Sequence, residues 1–140
     1  MNGKETIDYS QIEAGYEFPP GDYKVDSSTA SVFLEAVEYT GPLYQDTGLV
    51  PPMAVAASAL ATLSRTISLP PGSIHVSQEL EFVTIVNVND SLTSYTRVNR
   101  VQQRGKIHLL TVDFDVRNQY QKTVLTAKTS FILPREGDNR

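Results

Sequence analysis

One stretch, residues 51–67, limits most strongly what this chain can fold into. It reads Pro-Pro-Met-Ala-Val-Ala-Ala-Ser-Ala-Leu-Ala-Thr-Leu-Ser-Arg-Thr-Ile, and within 53–63 only a serine and a threonine are polar. Alanine favours helix, and proline suits the first helical turn because its missing N–H would be unpaired there. The stretch therefore predicts a helix that begins at Pro52, ends at the Leu-Pro-Pro-Gly run of residues 69–72 and needs cover on most of its surface. It is too short to cross a bilayer, which takes about 20 apolar residues.

The chain after this helix predicts mainly β-structure. Runs of β-branched or alternating residues favour four long extended segments, at 74–89, 92–103, 106–116 and 123–133. In the third, His108, Leu110, Val112, Phe114 and Val116 share one face, and the charged Asp113, Asp115 and Arg117 share the other. That alternation is typical of a half-buried antiparallel strand. The simplest architecture is α+β, with a curved antiparallel sheet wrapped around one buried helix.

The chain before the apolar stretch predicts one short strand and a first helix. Residues 22–26 alternate as in a strand, and Asp26, Ser27 and Ser28 each suit the N-cap of a helix that runs to about Tyr39. Gly41 and the following proline are expected to end that helix through a left-handed cap. We therefore divide the chain into an extended N-terminal segment, residues 1–20, a single domain, residues 21–134, and a polar tail, residues 135–140.

Composition narrows the function. A net charge of -4 disfavours nucleic-acid binding, which usually needs a basic surface. The chain has no cysteine, which excludes thiolate chemistry and fits a reducing compartment. The first nine residues lack an apolar core, so no secretion signal is predicted and a cytoplasmic location is expected. Two histidines are too few for a histidine-rich metal site, and no metal or cofactor is predicted.

The order of elements, a helix, a buried helix and a meander of long strands, resembles the hot-dog fold. The local sequence is similar to the MaoC-like acyl dehydratases at 33–37 with 42–46 and 50–53, at 72–82, and at 118–119 with Val124. The resemblance covers nearly all of 21–134. It implies an α+β hot-dog domain in which a curved antiparallel sheet surrounds one long central helix.

The resemblance also implies a chemistry, the reversible hydration of a trans-2-enoyl thioester to a 3-hydroxyacyl thioester. In the family, an aspartate and a histidine on the loop after the first helix position and activate the water. A backbone amide at the start of the central helix polarises the thioester carbonyl, helped by the helix dipole. The expected ligand is thus an acyl thioester of coenzyme A or of acyl-carrier protein.

This chain departs from the family pattern at each of these positions. The aspartate position falls on Tyr39, an intervening asparagine on Gly41 and the histidine on Tyr44. A tyrosine side chain ionises near pH 10 and is a poor general base near neutrality. The family's helix start is often His-Gly-Met, whereas here it is Pro-Pro-Met, and Pro52 has no N–H to offer an oxyanion.

These departures lead to a first hypothesis, an acyl-thioester-binding hot-dog protein that resembles the non-catalytic halves or subunits of two-part dehydratases. Its acyl tunnel is expected between subunits, beside the alanine-rich face of the central helix. The residues expected at the substrate are Gly41, Pro52, Met53 and Ala56. Because an exposed sheet edge invites pairing, we expect a homodimer, or a heterodimer with a catalytic hot-dog subunit.

Two other hypotheses stay open. One is an active hydratase, dehydratase or thioesterase that uses Tyr39, Tyr44 or Asp46 in place of the family's acid and base. The other is a structural dimer module that binds no thioester. Structural interpretations compete at every residue, since tyrosines at a helix end usually pack with the hydroxyl in water, and Asp46 suits a turn cap.

Each of the remaining polar residues is compatible with a structural role, and some are also compatible with a role in binding the thioester. His75 is expected as a polar strand-end residue or as a group that reaches the thioester pocket, and His108 as a packed strand histidine. Four basic residues crowd one hairpin and suit either a solvated tip or the phosphates of the thioester carrier, namely Arg97, Arg100, Arg104 and Lys106.

Overall fold

The computed structural model describes residues 7–8 and 12–134. The helices of this part are α1 (Ser27–Ala36) and α2 (Pro52–Ser64). The strands are β1 (Ile7–Asp8), β2 (Gly21–Lys24), β3 (Ile67–Ser68), β4 (Ile74–Phe82), β5 (Ser91–Arg104), β6 (Ile107–Arg117) and β7 (Thr123–Pro134). The predicted C-terminal tail and most of the first eleven residues lie outside the described residues. Neither described helix has the length and hydropathy of a membrane span.

Five strands form one antiparallel sheet in the order β2-β5-β6-β7-β4. Their apolar residues alternate as predicted, and in β6 the side chains of Leu110, Val112, Phe114 and Val116 are all buried. Register shifts in the β4–β7, β5–β6 and β6–β7 pairs add bends to the strands. The sheet and α2 share one core, so the predicted α+β arrangement is confirmed.

Helix α2 begins at Pro52, as predicted, but ends at Ser64, before the predicted end near the prolines at 70–71. Its buried residues are Ala54, Val55, Ala56, Ala59 and Leu63. The Ser58 and Thr62 hydroxyls donate to the carbonyls of Ala54 and Ser58, at 2.9 and 2.8 Å. Hydroxyls can therefore lie in this apolar helix without losing a hydrogen-bond partner. The side with Met53, Ala57, Ala61 and Ser64 is exposed in the single chain.

The predicted end of the first helix was wrong. Helix α1 ends at Ala36, and the residue with left-handed backbone is Glu38, with φ of 57°, rather than Gly41. The Glu38 amide donates to Glu35 O and the Tyr39 amide to Leu34 O, both at 3.0 Å. This pair of hydrogen bonds is a Schellman motif, which usually places glycine where this chain has Glu38. Its consequence for the site is that Tyr39 becomes the first residue beyond the cap.

The prediction of one continuous extended segment over 74–89 was wrong in its second half. Strand β4 ends at Phe82, and the amides of Val83 and Thr84 both donate to the Val124 carbonyl, at 2.9 and 3.4 Å. The chain then leaves the sheet. Residues 86–88 pair with the loop before α2, where the Val50 amide donates to Val86 O at 2.8 Å.

The two edges of the sheet differ. Strand β2 is four residues long and follows Pro19 and Pro20, which cannot donate a backbone hydrogen bond. Strand β4 is nine residues long, roughly 30 Å, and pairs with β7 on one side only. Fourteen large apolar side chains are exposed on the described residues, and five of them belong to this edge or its continuation: Ile74, Val76, Phe82, Val83 and Ile85. The β4 edge is therefore both the longer and the more apolar of the two edges.

Candidate functional site

A cavity of about 290 Å³ lies at the N-terminal end of α2 and is called here the first-turn cavity. Three parts of the chain line it: the loop residues Leu43, Tyr44, Leu49 and Val50, the helix residues Pro52 and Val55, and the sheet-edge residues 82–86 with Val124 and Leu125. Because the chain leaves the sheet after Phe82 and returns to the loop at Val86, this cavity has an apolar wall that the strand pattern did not predict.

Only two side chains in this lining carry polar groups, those of Tyr44 and Thr84. The Thr84 hydroxyl donates to the Thr123 carbonyl at 3.1 Å, so its hydrogen atom is already used. The sequence gives little indication of Thr84 as a cavity residue, because its only signal there is a single hydroxyl within a β-branched run. The first-turn cavity therefore suits an aliphatic group with one or two polar atoms near Tyr44.

The structure brings Tyr39, Gly41 and Tyr44 together. The two tyrosine rings meet edge to face, with centroids 5.6 Å apart. A Cβ atom at Gly41 would lie 2.5 Å from the Tyr39 hydroxyl oxygen, so glycine leaves room for that ring to fold back over the loop. Tyr44 is half-buried and reaches the first-turn cavity, whereas Tyr39 is 40% exposed and lies outside the cavity lining.

Of the other predicted site residues, Pro52 lines the first-turn cavity, and Asp46, Met53 and Ala56 lie outside its lining. Asp46 is exposed on the loop, with φ of 55°. The turn around it is held by Thr47, whose hydroxyl donates to Leu43 O at 3.0 Å and accepts from the Leu49 amide at 3.3 Å. Met53 is 49% exposed. Ala56 is buried and borders a narrow void further along the helix.

The start of α2 has little capacity to bind an oxyanion. Pro51 occupies the N-cap without a side-chain hydrogen bond, and Pro52 occupies the first helical position. Neither has an N–H, and the Ala54 amide donates to Pro51 O at 2.9 Å. The Met53 amide is consequently the first N–H that the helix can offer at the end where its dipole is positive.

The first-turn cavity is also poor in charge. Among residues 7–8 and 12–134, its lining contains no carboxylate and no imidazole, and Tyr44 is its one titratable residue. Within residues 7–8 and 12–134, no three metal-ligating side chains come together. The geometry therefore favours binding of an apolar chain over proton transfer or metal-assisted chemistry by these residues.

The basic hairpin lies far from this cavity in the same chain. Its turn is at Gly105 and Lys106, next to the pair Ile107–Pro134, whereas the cavity borders Leu125 near the other end of β7. Leu125 and Pro134 lie nine residues apart along β7, which is about 30 Å of extended chain. Asp113 and Asp115 face outward and already have partners on the sheet surface. Asp113 accepts a hydrogen bond from the Asn99 side-chain amide at 2.7 Å, and Asp115 forms an ion pair with Arg117 at 2.8 Å.

A family model described as FAS1-like, dehydratase domain region matches residues 13–127. The chain belongs to this family. No curated protein matches the sequence at a significant level. The resemblance to MaoC-like dehydratases that the sequence suggested is thus confirmed at the level of the family, and the FAS1-like dehydratase region covers α1, α2 and most of the sheet.

Solved structures agree on the fold of this FAS1-like dehydratase region. R-hydratase PhaJ1 from Pseudomonas aeruginosa matches with a TM-score of 0.78 and 19% identity over 94% of this chain and 88% of that chain. A MaoC-like dehydratase from Rhodospirillum rubrum matches with a TM-score of 0.72 and 18% identity over 93% of this chain and 98% of that chain. The truncated HadBC 3R-hydroxyacyl-ACP dehydratase complex from Mycobacterium tuberculosis matches with a TM-score of 0.72 and 19% identity over 87% of this chain and 98% of that chain. The predicted hot-dog fold is confirmed.

Proposed function

We propose that this chain binds the acyl part of an acyl thioester in the first-turn cavity and does not hydrate it without a partner. The observation that carries the proposal is the cavity itself, an apolar space of about 290 Å³ at the helix start, in a chain of the dehydratase family. An engineered cavity of about 150 Å³ binds benzene, so this volume suits an acyl chain of up to about a dozen carbon atoms. The carrier is coenzyme A or acyl-carrier protein.

The expected lack of hydration follows from the residues beside the cavity. Adding water across the enoyl double bond requires a base that takes a proton from water and an acid that supplies one to the substrate carbon. The residues at the family's acid and base positions are phenols, Tyr39 and Tyr44, and among the residues that the structure describes no carboxylate or imidazole lines the cavity. Losing one oxyanion donor alone typically costs about 100-fold or more in rate, and Pro52 offers none.

A partner subunit is the second part of the proposal. Strand β4 offers a long unpaired edge with exposed apolar residues, and its end, Phe82, lines the first-turn cavity. A second hot-dog chain on this edge would cover the cavity's open side. The partner is either another copy of this chain or a subunit that carries the missing aspartate and histidine. The acyl-binding role is the same with either partner.

One observation favours a second candidate, an active hydratase, dehydratase or thioesterase. The Tyr44 side chain reaches the first-turn cavity and is its one titratable group. Tyr39 would then act through its ring contact with Tyr44, whereas Asp46 lies outside the cavity lining.

The test uses purified protein and crotonyl-CoA, with loss of the enoyl absorbance as the measure of hydration. We expect no turnover, together with a rise in melting temperature on adding acyl-CoA, because a ligand selective for the native state stabilises it. Saturation at 100 times Kd corresponds to about 2.7 kcal/mol. Turnover that Tyr44→Phe abolishes and Tyr120→Phe leaves intact would support the enzyme instead, since Tyr120 is 74% exposed and outside the cavity lining. Absence of both turnover and thermal shift would leave a structural module.

A further inference from the structure

The last part of strand β5 has an open edge, residues 99–104, called here the β5 edge. Strand β2 pairs with residues 91–94 of β5, and residues 15–18 extend this pairing through hydrogen bonds to Thr96 and Val98. Residues 100–104 pair with β6 on one side, and nothing within residues 7–8 and 12–134 pairs with them on the other. All of 99–104 except Gln102 are exposed. About 20 Å of strand edge is therefore open to a partner.

The hairpin around the β5 edge is strongly basic. Residues 97–112 contain four arginines or lysines and no aspartate or glutamate, in a chain whose net charge is -4. Arg100 and Arg104 belong to the β5 edge and are exposed, and Lys106 follows in the turn. Among the described residues, none of these three cations forms an ion pair. Their charges are therefore not neutralised by this part of the chain.

A β-bulge places both arginines on the outer face of the sheet. The register of β5 with β6 shifts between Val98 and Arg100, after which Val101 lies opposite Leu110. Because Leu110 belongs to the core, Val101 lies on the inner face and Arg100 on the outer face, and Arg104 returns to the outer face four residues later. Without the extra residue, Arg100 would share the inner face with the buried Val98. The bulge thus re-aims a charged side chain toward the surface.

The open edge favours a polypeptide partner. A strand edge presents alternating backbone N–H and C=O groups, which another extended backbone can satisfy in register. The phosphates of lipids and nucleic acids accept hydrogen bonds but supply no matching row of donors. Alternation also fixes the side chains of an added strand. Acidic residues would lie beside Arg100 and Arg104 on the outer face, and apolar residues beside Val101 on the inner face.

The two open edges of the sheet differ in charge. Glu79 and Glu81 flank Leu80, which packs against the core, so both glutamates lie on the outer face of β4. An acidic strand is repelled by these glutamates and attracted by the arginines of the β5 edge. Two copies of this chain do not suit each other at their β5 edges, because arginines would meet arginines. Charge therefore directs an acidic segment of another protein to the β5 edge.

We propose that the β5 edge binds an extended acidic segment of a partner protein by strand addition, and that acidic and apolar residues alternate in this segment. Backbone hydrogen bonds along 99–104 hold the segment, and Arg100, Arg104 and Lys106 select its charge. The β5 edge lies at the opposite end of the sheet from the first-turn cavity. The inference therefore goes beyond the proposed acyl-binding function and does not depend on it.

The test uses the whole chain and a fluorescein-labelled peptide of alternating glutamate and valine, about eight residues long so that it spans the edge. Fluorescence anisotropy at low ionic strength gives the Kd. Arg100→Gln and Arg104→Gln should each weaken binding about threefold and together about tenfold, because each removes one cross-strand charge pair. Arg65→Gln removes an exposed charge at the end of α2 and should leave the Kd unchanged. An unchanged Kd in the double variant overturns the proposal.

A second peptide separates strand addition from charge attraction. It has the same sequence with a methyl group on every backbone nitrogen, which keeps the charges and removes the N–H donors. We expect it to bind more than about tenfold more weakly, and equal binding of the two peptides overturns strand addition. Hydrogen exchange then locates the site. The amides of residues 99–104 should exchange more slowly with the first peptide bound, and protection confined to β4 overturns the assignment to the β5 edge.

Two further outcomes would assign the β5 edge to another occupant and overturn the proposal. If a single-stranded oligonucleotide or phosphatidylglycerol vesicles bind more tightly than the peptide, and the double variant weakens that binding, the surface recognises charge alone. If the unaltered chain grows into larger assemblies as its concentration rises, and the double variant does not, the occupant is β4 of another copy, with its glutamates at 79 and 81. Peptide binding that both the double variant and backbone methylation weaken, with protection at 99–104, supports the proposal.

Discussion

Lengthening the acyl chain is the most direct way to measure what the first-turn cavity does. Each buried methylene contributes up to about 0.8 kcal/mol, close to a fourfold change in Kd. Octanoyl-CoA has four more methylenes than butyryl-CoA, so full burial would favour it by about 3 kcal/mol, or roughly 200-fold. Burial of only half of that surface would still favour octanoyl-CoA by about tenfold. Isothermal titration with the C4, C6 and C8 thioesters measures the slope.

The matched variants for this series lie on α2. Val55 is 2% exposed and lines the cavity, so Val55→Phe should fill the space and flatten the dependence on chain length, at a folding cost of about 1–3 kcal/mol. Ala61→Phe adds the same ring on the exposed side of the helix and should leave the dependence unchanged. Equal affinity of the unaltered chain for butyryl-CoA and octanoyl-CoA would refute the assignment of this cavity to the acyl group.

Three further predictions concern the fold. Leu92→Ala, at a residue 1% exposed and outside the cavity lining, should cost about 2–5 kcal/mol in urea denaturation without changing the acyl-chain dependence. Hydrogen bonds from Thr29, of which the one from its backbone N–H has the largest effect, hold the pKa of Asp26 below its usual range. The charged N-cap therefore stabilises α1 at pH values above the unfolded-state pKa near 4. That stabilisation is lost as pH falls through the lowered pKa, and Asp26→Ala should reduce the melting temperature at pH 7 and weaken its fall in acid. Burial raises the pKa of the Tyr23 phenol, and the hydrogen bond from Ser94 opposes that rise. The neutral phenol therefore contributes its full stabilisation of the fold below about pH 10, and this stabilisation is lost as pH rises through the raised pKa. Thermal scans between pH 8 and 11 should show this loss, and Tyr23→Phe should remove it.

Patterns with a local cause could be predicted from the sequence. Pro52 marks the start of α2, the run Asp26, Ser27 and Ser28 marks the start of α1, and the alternation in β6 gives the buried face, because each depends on a few neighbouring residues. The family resemblance supplied the fold, since the helix and strand patterns alone do not specify the order β2-β5-β6-β7-β4.

Features fixed by distant contacts could not be predicted. Glu38 adopts a left-handed conformation that glycine usually takes, so the Gly41-Pro42 pair suggested the wrong helix end. The segment after Phe82 looks like more strand because its residues are β-branched, yet it turns away to pair with the loop at Val50. The two-residue parallel pair of Ile7–Asp8 with Ile67–Ser68 has no pattern that reveals it. The candidate cavity depends on the second of these features, which is why the sequence indicated Tyr44 and Pro52 but not Thr84.

The unlike edges of the sheet set a limit on the size of any assembly. A sheet with two equally open edges can add copies at both ends and grow into a fibre. Here the long edge is used once a pair forms, and the ends that remain are two β2 strands of four residues, each preceded by Pro19 and Pro20. Pairing along β4 would therefore be self-terminating, because the short β2 strands left at the ends offer little edge to a further copy.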